Sequence, residues 1–395
     1  MKVFPIEELE HRIATVQAGL RRDGIDAAIV LQNVDLYYLS GTIQQSHLVV
    51  PAEGEPVLLV RRDLDRALSE SALPHILGMK GVRDLPEALR AAGIASTACI
   101  GLEFDVLPVA NYLRYRALLP EASFADCSPA IREARAVKSP LEIGLIAEAC
   151  VQADLTCQAV LRILREGMTE IELAAELESV VRKAGHHGPT RFRGFNMELF
   201  FGHVLSGPNG AVASLGDTPL AGRGLTPAVA QGAGTRVIQR GESVIIDLSG
   251  GYHGYLCDQT RVYSVGPLPE ELRLAYQFCL DLQDLLSAAA VPGAVCGQLY
   301  DLAAAHAASR GYEECFMGAG PARVSFVGHG VGLEIDELPV LAKGARQQLA
   351  VGNVIAIEPK LVFAGVGAVG VENTWRVGAS GAERLTTTPD DLWEV

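Results

Sequence analysis

The sequence predicts an α+β protein of two domains, the second built from two similar halves. Three observations carry this expectation. Up to about residue 130, short apolar strands alternate with helical stretches. Beyond that point, a pair of helices precedes a strand-rich segment, and does so twice. Finally, the stretch 241–247 echoes 352–358: each is a glycine followed six positions later by an acid that ends an apolar strand.

Taken in order, 6–22 has Leu9, Ile13, Val16 and Leu20 at helical spacing, and Gly24 stops it. Residues 26–31 suit a buried strand, and 33–38 lead to a turn at Gly41. Strands at 47–50, 56–60 and 99–102 alternate with helical stretches such as 107–119. The first domain is therefore placed at 1–130, with 128–138 as a linker and the second domain at 138–395. A capping box opens the next helix: Ser139 as N-cap, Pro140 in the first turn and Glu142 three residues on. Thr169-Glu170-Ile171-Glu172 opens another. Residues 190–265 are rich in Gly, Val and Ile and suit strands; helices follow at 270–290 and up to 310, and strands return at the end.

Composition narrows the function. The 395 residues are 49% hydrophobic and 20% charged, so a large core is expected and wholesale disorder is not. Lys and Arg number 33 against 47 Asp and Glu, a net charge of −14. Such acidity argues against nucleic-acid or anionic-membrane partners, which need a basic face. No uninterrupted apolar run reaches membrane-span length, and residues 1–8 lack the apolar stretch of a secretory signal. The eight cysteines are scattered with no Cys-x-x-Cys, as expected for reduced thiols in the cytoplasm.

Asp247 and Asp258 bracket a hairpin. A turn at Tyr252-His253 would set the two carboxylates directly opposite each other, which destabilises a sheet unless a cation lies between them or one is protonated. A longer loop with solvated acids is the rival reading, and the apolar flanks 244–246 and Val262 argue against it. Glu358 and Glu372 repeat the theme about Gly365. Gly365-x-Gly367-x-x-Gly370 matches a dinucleotide fingerprint in letters only, because no helix pattern follows it. Between the hairpins, His329 sits in Gly328-His329-Gly330 after a strand-like run. Four carboxylates and an imidazole suit Mn, Co, Fe or Zn, and their charge matches two divalent ions, the equipment of hydrolytic chemistry.

Together these residues resemble the pita-bread metallopeptidase and creatinase family, which includes aminopeptidase P, prolidase and methionine aminopeptidase. Asp35-Leu36-Tyr37-Tyr38-Leu39-Ser40-Gly41 is similar to the creatinase-type N-terminal domain, and Gly254-Tyr255-Leu256-Cys257-Asp258-Gln259-Thr260-Arg261 to the prolidase and aminopeptidase P signature. The resemblance implies a creatinase-type α/β N-terminal domain followed by a pita-bread domain with two pseudo-symmetric halves. It implies Asp247, Asp258, His329, Glu358 and Glu372 as ligands of two divalent ions, with Glu358 also taking the proton of the attacking water. It implies Xaa-Pro aminopeptidase or dipeptidase activity on a peptide or small amide by attack of a metal-bridged hydroxide. The same likeness implies a homodimer; manganese is among the metals this donor set suits, and a cytoplasmic location is expected from the scattered cysteines and the missing signal.

Three departures fall on the substrate side. Asp336 stands seven residues after His329, where the family has a second histidine; Ser214 stands where a histidine follows Ser206-Gly207-Pro208-Asn209; and Gly370 stands where an arginine is often found. His203, in a strand-like run, is a candidate substrate contact. The lost histidines keep a second expectation open: an intact metal centre acting on a non-peptide substrate, as a C–N hydrolase or a lyase.

Overall fold

Two compact units, Met1–Arg135 and Ala136–Val395, divide the chain. The computed structural model describes residues 3–214 and 216–395; residue 215 and the first two residues of the stretch read for a signal lie outside the described residues.

Unit 1 holds a six-stranded sheet and its helices. The strands are β1 (Ala27–Val30), β2 (Ser46–Pro51), β3 (Val57–Val60), β4 (Ile76–Gly78), β5 (Cys99–Leu102) and β6 (Ser123–Asp126), in the order β4-β3-β2-β1-β5-β6. The helices are α1 (Ile6–Arg22), α2 (Asn33–Ser40), α3 (Leu64–Glu70), α4 (Leu85–Ala91), α5 (Val109–Leu118) and α6 (Ser128–Ala136). The apolar stripe read from α1, Leu9, Ile13, Val16 and Leu20, is buried. β1 is buried along its whole length, as a strand covered on both faces must be.

The stretch 128–138, expected as a linker, is instead mostly helix α6, with Ile131 and Ala134 on its buried face. A buried ion pair explains the order: Arg135 donates to Asp35 at 2.6 Å, and both side chains are almost fully covered. A buried charge needs such a partner, which Asp35, the first residue of the motif at 35–41, supplies.

Unit 2 runs through α7 (Pro140–Ile163), α8 (Glu170–Lys183), β7 (Pro189–Thr190), β8 (Leu199–Phe200), β9 (Gly202–Ser206), β10 (Val244–Leu248), β11 (Gly250–Tyr252), β12 (Tyr255–Cys257) and β13 (Thr260–Ser264). It continues through α9 (Glu270–Ala289), α10 (Cys296–Ser309), β14 (Gly328–Gly330), β15 (Val354–Ile357), β16 (Lys360–Phe363), β17 (Gly367–Gly370), β18 (Asn373–Gly378), β19 (Gly381–Arg384) and β20 (Trp393–Glu394). Both capping boxes form, at Ser139 and at Thr169. Helix α7 is long and apolar enough by composition to cross a bilayer, yet over half of its most apolar window is buried inside the unit.

The two halves are visible in the element order. Helices α7 and α8 precede the sheet β20-β13-β10-β9 with its hairpin β11-β12; helices α9 and α10 precede the sheet β14-β15-β18-β19 with its hairpin β16-β17. One apolar cluster joins α9 and α10 to strands of both sheets, through Ile245 and Val262 on one side and Ile355 and Ile357 on the other. Each acid of interest sits where a sheet strand gives way to its hairpin. The backbone is rigid there because pairing resumes on both sides.

Candidate metal centre and substrate cavity

The first hairpin departs from its expected register. Tyr252 pairs with Tyr255, so the turn falls at His253-Gly254, one residue later than read from sequence, and Asp247 faces Thr260 rather than Asp258. The reason is backbone geometry. A two-residue hairpin turn of this kind needs positive φ at both central positions, and His253 (47°) and Gly254 (87°) supply it. A turn at Tyr252-His253 would have forced an aromatic residue into that region. Asp258 is therefore diagonal to Asp247, still on the same face.

The second hairpin keeps the expected register. Lys360 pairs with Gly370 and Phe363 with Gly367, and on the far side of the break Ile357 pairs with Asn373. Glu358 and Glu372 lie between these pairs, at opposed positions. An antiparallel bridge from Thr260 to Glu372 joins the hairpins, and Thr260 Oγ1 donates to Glu372 Oε2 at 2.8 Å. Buried Arg261 clamps the junction, donating to the carbonyls of Thr260 (2.8 Å) and Glu372 (2.9 Å).

His329 stands on β14, which pairs with β15. The flanking glycines serve packing: a Cβ at Gly328 would lie 2.3 Å from the Ala356 carbonyl oxygen, and one at Gly330 2.3 Å from that of Leu338. His329 Nδ1 faces the Gly330 carbonyl at 3.2 Å, the arrangement that leaves Nε2 as the free ligand atom. Nε2 lies 3.8 Å from Asp258 Oδ2, 3.4 Å from Glu358 Oε1 and 3.7 Å from Glu372 Oε1. Donors held at metal distance from one centre stand about 3.3 Å apart, so this spacing fits a divalent ion. The Glu372 Oε1 atom is buried with no hydrogen-bond partner among the described residues, a cost that a cation would remove.

Lys360 is the functional residue that the sequence reading missed. Its side chain is fully buried, and Nζ donates to Glu358 Oε2 at 2.6 Å and Glu372 Oε2 at 2.8 Å, with Asp247 Oδ2 at 3.3 Å. A signal was available. Lys360 stands in a run of apolar strand residues, two positions after Glu358, and alternate strand residues share a face. The expectation of two ions on these acids therefore meets a conflict, because an ammonium already lies among three of the carboxylates.

Charge in the centre is shaped by burial. Burial pushes the Asp258 carboxyl well above the usual range, and Glu372 and Asp247 push the same way. Burial raises Glu372 to about 7, opposed by Lys360 and reinforced by Glu358. For His329 burial disfavours the cation, but Glu358, Glu372 and Asp336 outweigh it and the pKa rises. The Lys360 ammonium also pays for burial, and Asp247, Glu358 and Glu372 more than hold it charged.

All the predicted site residues meet in one cavity of about 430 Å³. The five expected ligands, His203, Ser214 and Asp336 line it together with Lys360. His203 pairs with Asp247 across β9 and β10, and its buried Nε2 has no partner among the described residues. Ser214 Oγ accepts from the Gly216 amide at 3.0 Å, and Asp336 is exposed. A larger cavity, about 890 Å³, lies in unit 1, where Arg61, Lys80, Arg83 and Arg114 contribute to its wall. The converging acids belong to the smaller one.

His186 lies just beyond the end of α8. A cationic imidazole at the end of α8 would suit the helix dipole. Burial instead pushes the His186 pKa down to about 4, so the ring is neutral, and its Nδ1 accepts from the Gly188 amide.

Comparison with known proteins agrees with this geometry. Residues 144–379 match metallopeptidase family M24, and residues 12–137 match the creatinase/prolidase N-terminal domain. The Xaa-Pro dipeptidase of Pyrococcus furiosus is 27% identical over 97% of this chain and 100% of its own length. Among solved structures, the prolidase of Pyrococcus horikoshii superposes with a TM-score of 0.80 at 28% identity, covering 96% of this chain and 99% of that one. The dipeptidase PepE of Mycobacterium ulcerans does so with a TM-score of 0.81 at 26% identity, covering 99% of each. The creatinase-type domain followed by a pita-bread domain, expected from sequence, is the architecture observed.

Proposed function

Because this chain belongs to metallopeptidase family M24, we propose that it is a divalent-metal-dependent hydrolase that cleaves an amide bond of the Xaa-Pro peptide class. The observation that carries this reading is the convergence of Asp258, His329 and Glu372, whose ligand atoms lie within 4.8 Å of one another, with Glu358 Oε1 3.4 Å from the imidazole, in a cavity large enough for a small peptide. Names of relatives, Xaa-Pro dipeptidase and prolidase, support the substrate class. Mn, Co, Zn or Fe suits the mixed N/O donor set. A homodimer in the cytoplasm, acting on peptides rather than on nucleic acid or membranes, completes the proposal.

A bound ion supplies positive charge that polarises the scissile carbonyl and acidifies water in the cavity. The chain's own residues do the rest. Glu358 Oε2 is held by Lys360, which leaves Oε1 to accept the proton of the attacking water. The same oxygen then returns that proton to the departing nitrogen, which cannot leave as an anion. His203 Nε2, neutral because burial lowers its pKa, faces the cavity as a partner for a polar group of the substrate. Asp336, at the exposed rim, accepts hydrogen bonds only and repels a carboxylate.

That last feature favours a second reading: a non-peptide amide with a free amine, cleaved by the same centre. Assay of the metal-supplemented protein against Xaa-Pro dipeptides, longer Xaa-Pro peptides and amine-bearing amides separates the two. Turnover of Xaa-Pro peptides upholds the first reading. Turnover of the other amides alone replaces it with the second, and no turnover of any amide ends both.

A further inference from the structure

The cluster is two-sided, and the sides differ in what satisfies them. On one side, Asp258 Oδ2, Glu358 Oε1 and Glu372 Oε1 surround His329 Nε2 at 3.4–3.8 Å. The other oxygen of each carboxylate is already engaged: Asp258 Oδ1 by the Gln259 amide (3.0 Å), Glu358 Oε2 by Lys360 (2.6 Å), and Glu372 Oε2 by Thr260 and Lys360 (both 2.8 Å). The second side consists of Asp247 Oδ2, Glu358 Oε2 and Glu372 Oε2, with Lys360 Nζ at 3.3, 2.6 and 2.8 Å from them.

We propose that the Lys360 ammonium takes the place of one of the two divalent ions, so that the loaded protein holds a single ion on Asp258, His329 and Glu372. This rests on reading the cluster as a metal centre. Three features carry it. An ammonium offers three N–H groups: two donate to Glu358 Oε2 and Glu372 Oε2, and Asp247 Oδ2 stands 3.3 Å away as a third ion-pair partner. A divalent ion bound to the same three oxygens would have to share their space with Nζ and its charge. On the opposite side the buried Glu372 Oε1 has no hydrogen-bond partner among the described residues and the imidazole presents Nε2, so that is the side where a cation is wanted.

The third feature is Gly370, the cross-strand partner of Lys360. A Cβ at 370 would meet Lys360 Cγ at 2.5 Å and the Pro359 carbonyl oxygen at 2.9 Å. The bare position is what lets the lysine stem run to the acids. The resemblance places an arginine there; in this chain that cation is absent and another appears on the neighbouring strand.

The test is metal stoichiometry, which does not depend on knowing the substrate. Apo protein reconstituted with excess Mn²⁺ and desalted is expected to retain one ion per chain by elemental analysis. Its electron paramagnetic resonance should be the six-line signal of an isolated Mn²⁺ ion. Lys360→Ala is expected to retain two ions and to show the spin coupling of a dinuclear pair. Two coupled ions in the wild type overturn the proposal and leave the hydrolase reading standing. No tightly held ion in either protein overturns both. The wild-type spectrum decides even where Lys360→Ala does not fold, and a folded variant that still holds one ion refutes displacement by the lysine.

Discussion

One side of the acid cluster carries the ammonium of Lys360, and the other offers an imidazole, His329. Around Lys360 the Glu358 and Glu372 oxygens are hydrogen-bonded and the charge is partly neutralised from within the chain. Around His329 the oxygens face an imidazole nitrogen and one of them has no donor among the described residues. The acids are alike on both sides. What differs is whether a side chain long enough to reach them comes from the adjacent strand. A list of ligand-type residues thus gives the capacity of a site, and its occupancy depends on the neighbours.

The largest expected effect comes from removing the internal charge. Lys360→Met keeps the stem but leaves buried carboxylates unpaired, which should destabilise the metal-free protein by about 3–5 kcal/mol. Chemical unfolding in the presence of a chelator measures it; an unchanged midpoint would mean that the lysine side is no more satisfied than the histidine side. Next comes Glu358→Gln, which retains the shape and removes the proton acceptor. It should lower kcat by about 10²-fold or more, and wild-type turnover in this variant would remove Glu358 from the chemistry.

Metal affinity should divide the acids along the same line. Asp258→Asn, on the histidine side, is expected to weaken divalent binding by roughly 10²-fold, whereas Asp247→Asn, on the lysine side, should cost about tenfold or less. Calorimetric titration distinguishes them, and equal losses would erase the distinction between the sides.

Two histidines extend the comparison to pH. His329, among carboxylates, has its pKa raised, whereas His186, away from them, is lowered to about 4 by burial. Between about pH 6.5 and about pH 4 the unfolded chain therefore binds a proton at residue 186 that the folded chain refuses. Stability from this group is full at neutral pH and is lost on acidification, by about 1.4 kcal/mol at about pH 5.5. His186→Gln, whose amide oxygen can still accept from Gly188, should have a shallower pH dependence of its unfolding midpoint. Identical slopes would contradict the shift. The smallest effect is at the rim: Asp336→Asn should improve KM for substrates with a free carboxylate by about fivefold, the scale of an exposed charge. An unchanged ratio of carboxylate-bearing to blocked substrates would take Asp336 out of substrate selection.

How much of this was legible beforehand differs between the two hairpins. The second was read in its true register because Gly365 marks its turn and the residues around it carry no competing turn signal. The first was misplaced by one residue at the turn, since His253-Gly254 and Tyr252-His253 look alike until the backbone sign of φ is known. Helix α6 was taken for a linker because the partner of Arg135 lies 100 residues away in sequence. His203 could be suspected from its strand, whereas its unpartnered Nε2 in the cavity could not.

Sequence alone picked out acids and a histidine that line one cavity, the two-domain order and the duplicated halves of the second domain, because residue type, capping and periodicity are local properties that survive in a string of letters. Tertiary structure decided the register of Asp247 against Thr260, the neutral state of His186 and the entry of Lys360 among the acids. Each of those depends on distances between residues from different strands or on exclusion of water. Electrostatic energy in a buried site is set by separations of a few ångströms, and no spacing along the chain encodes them.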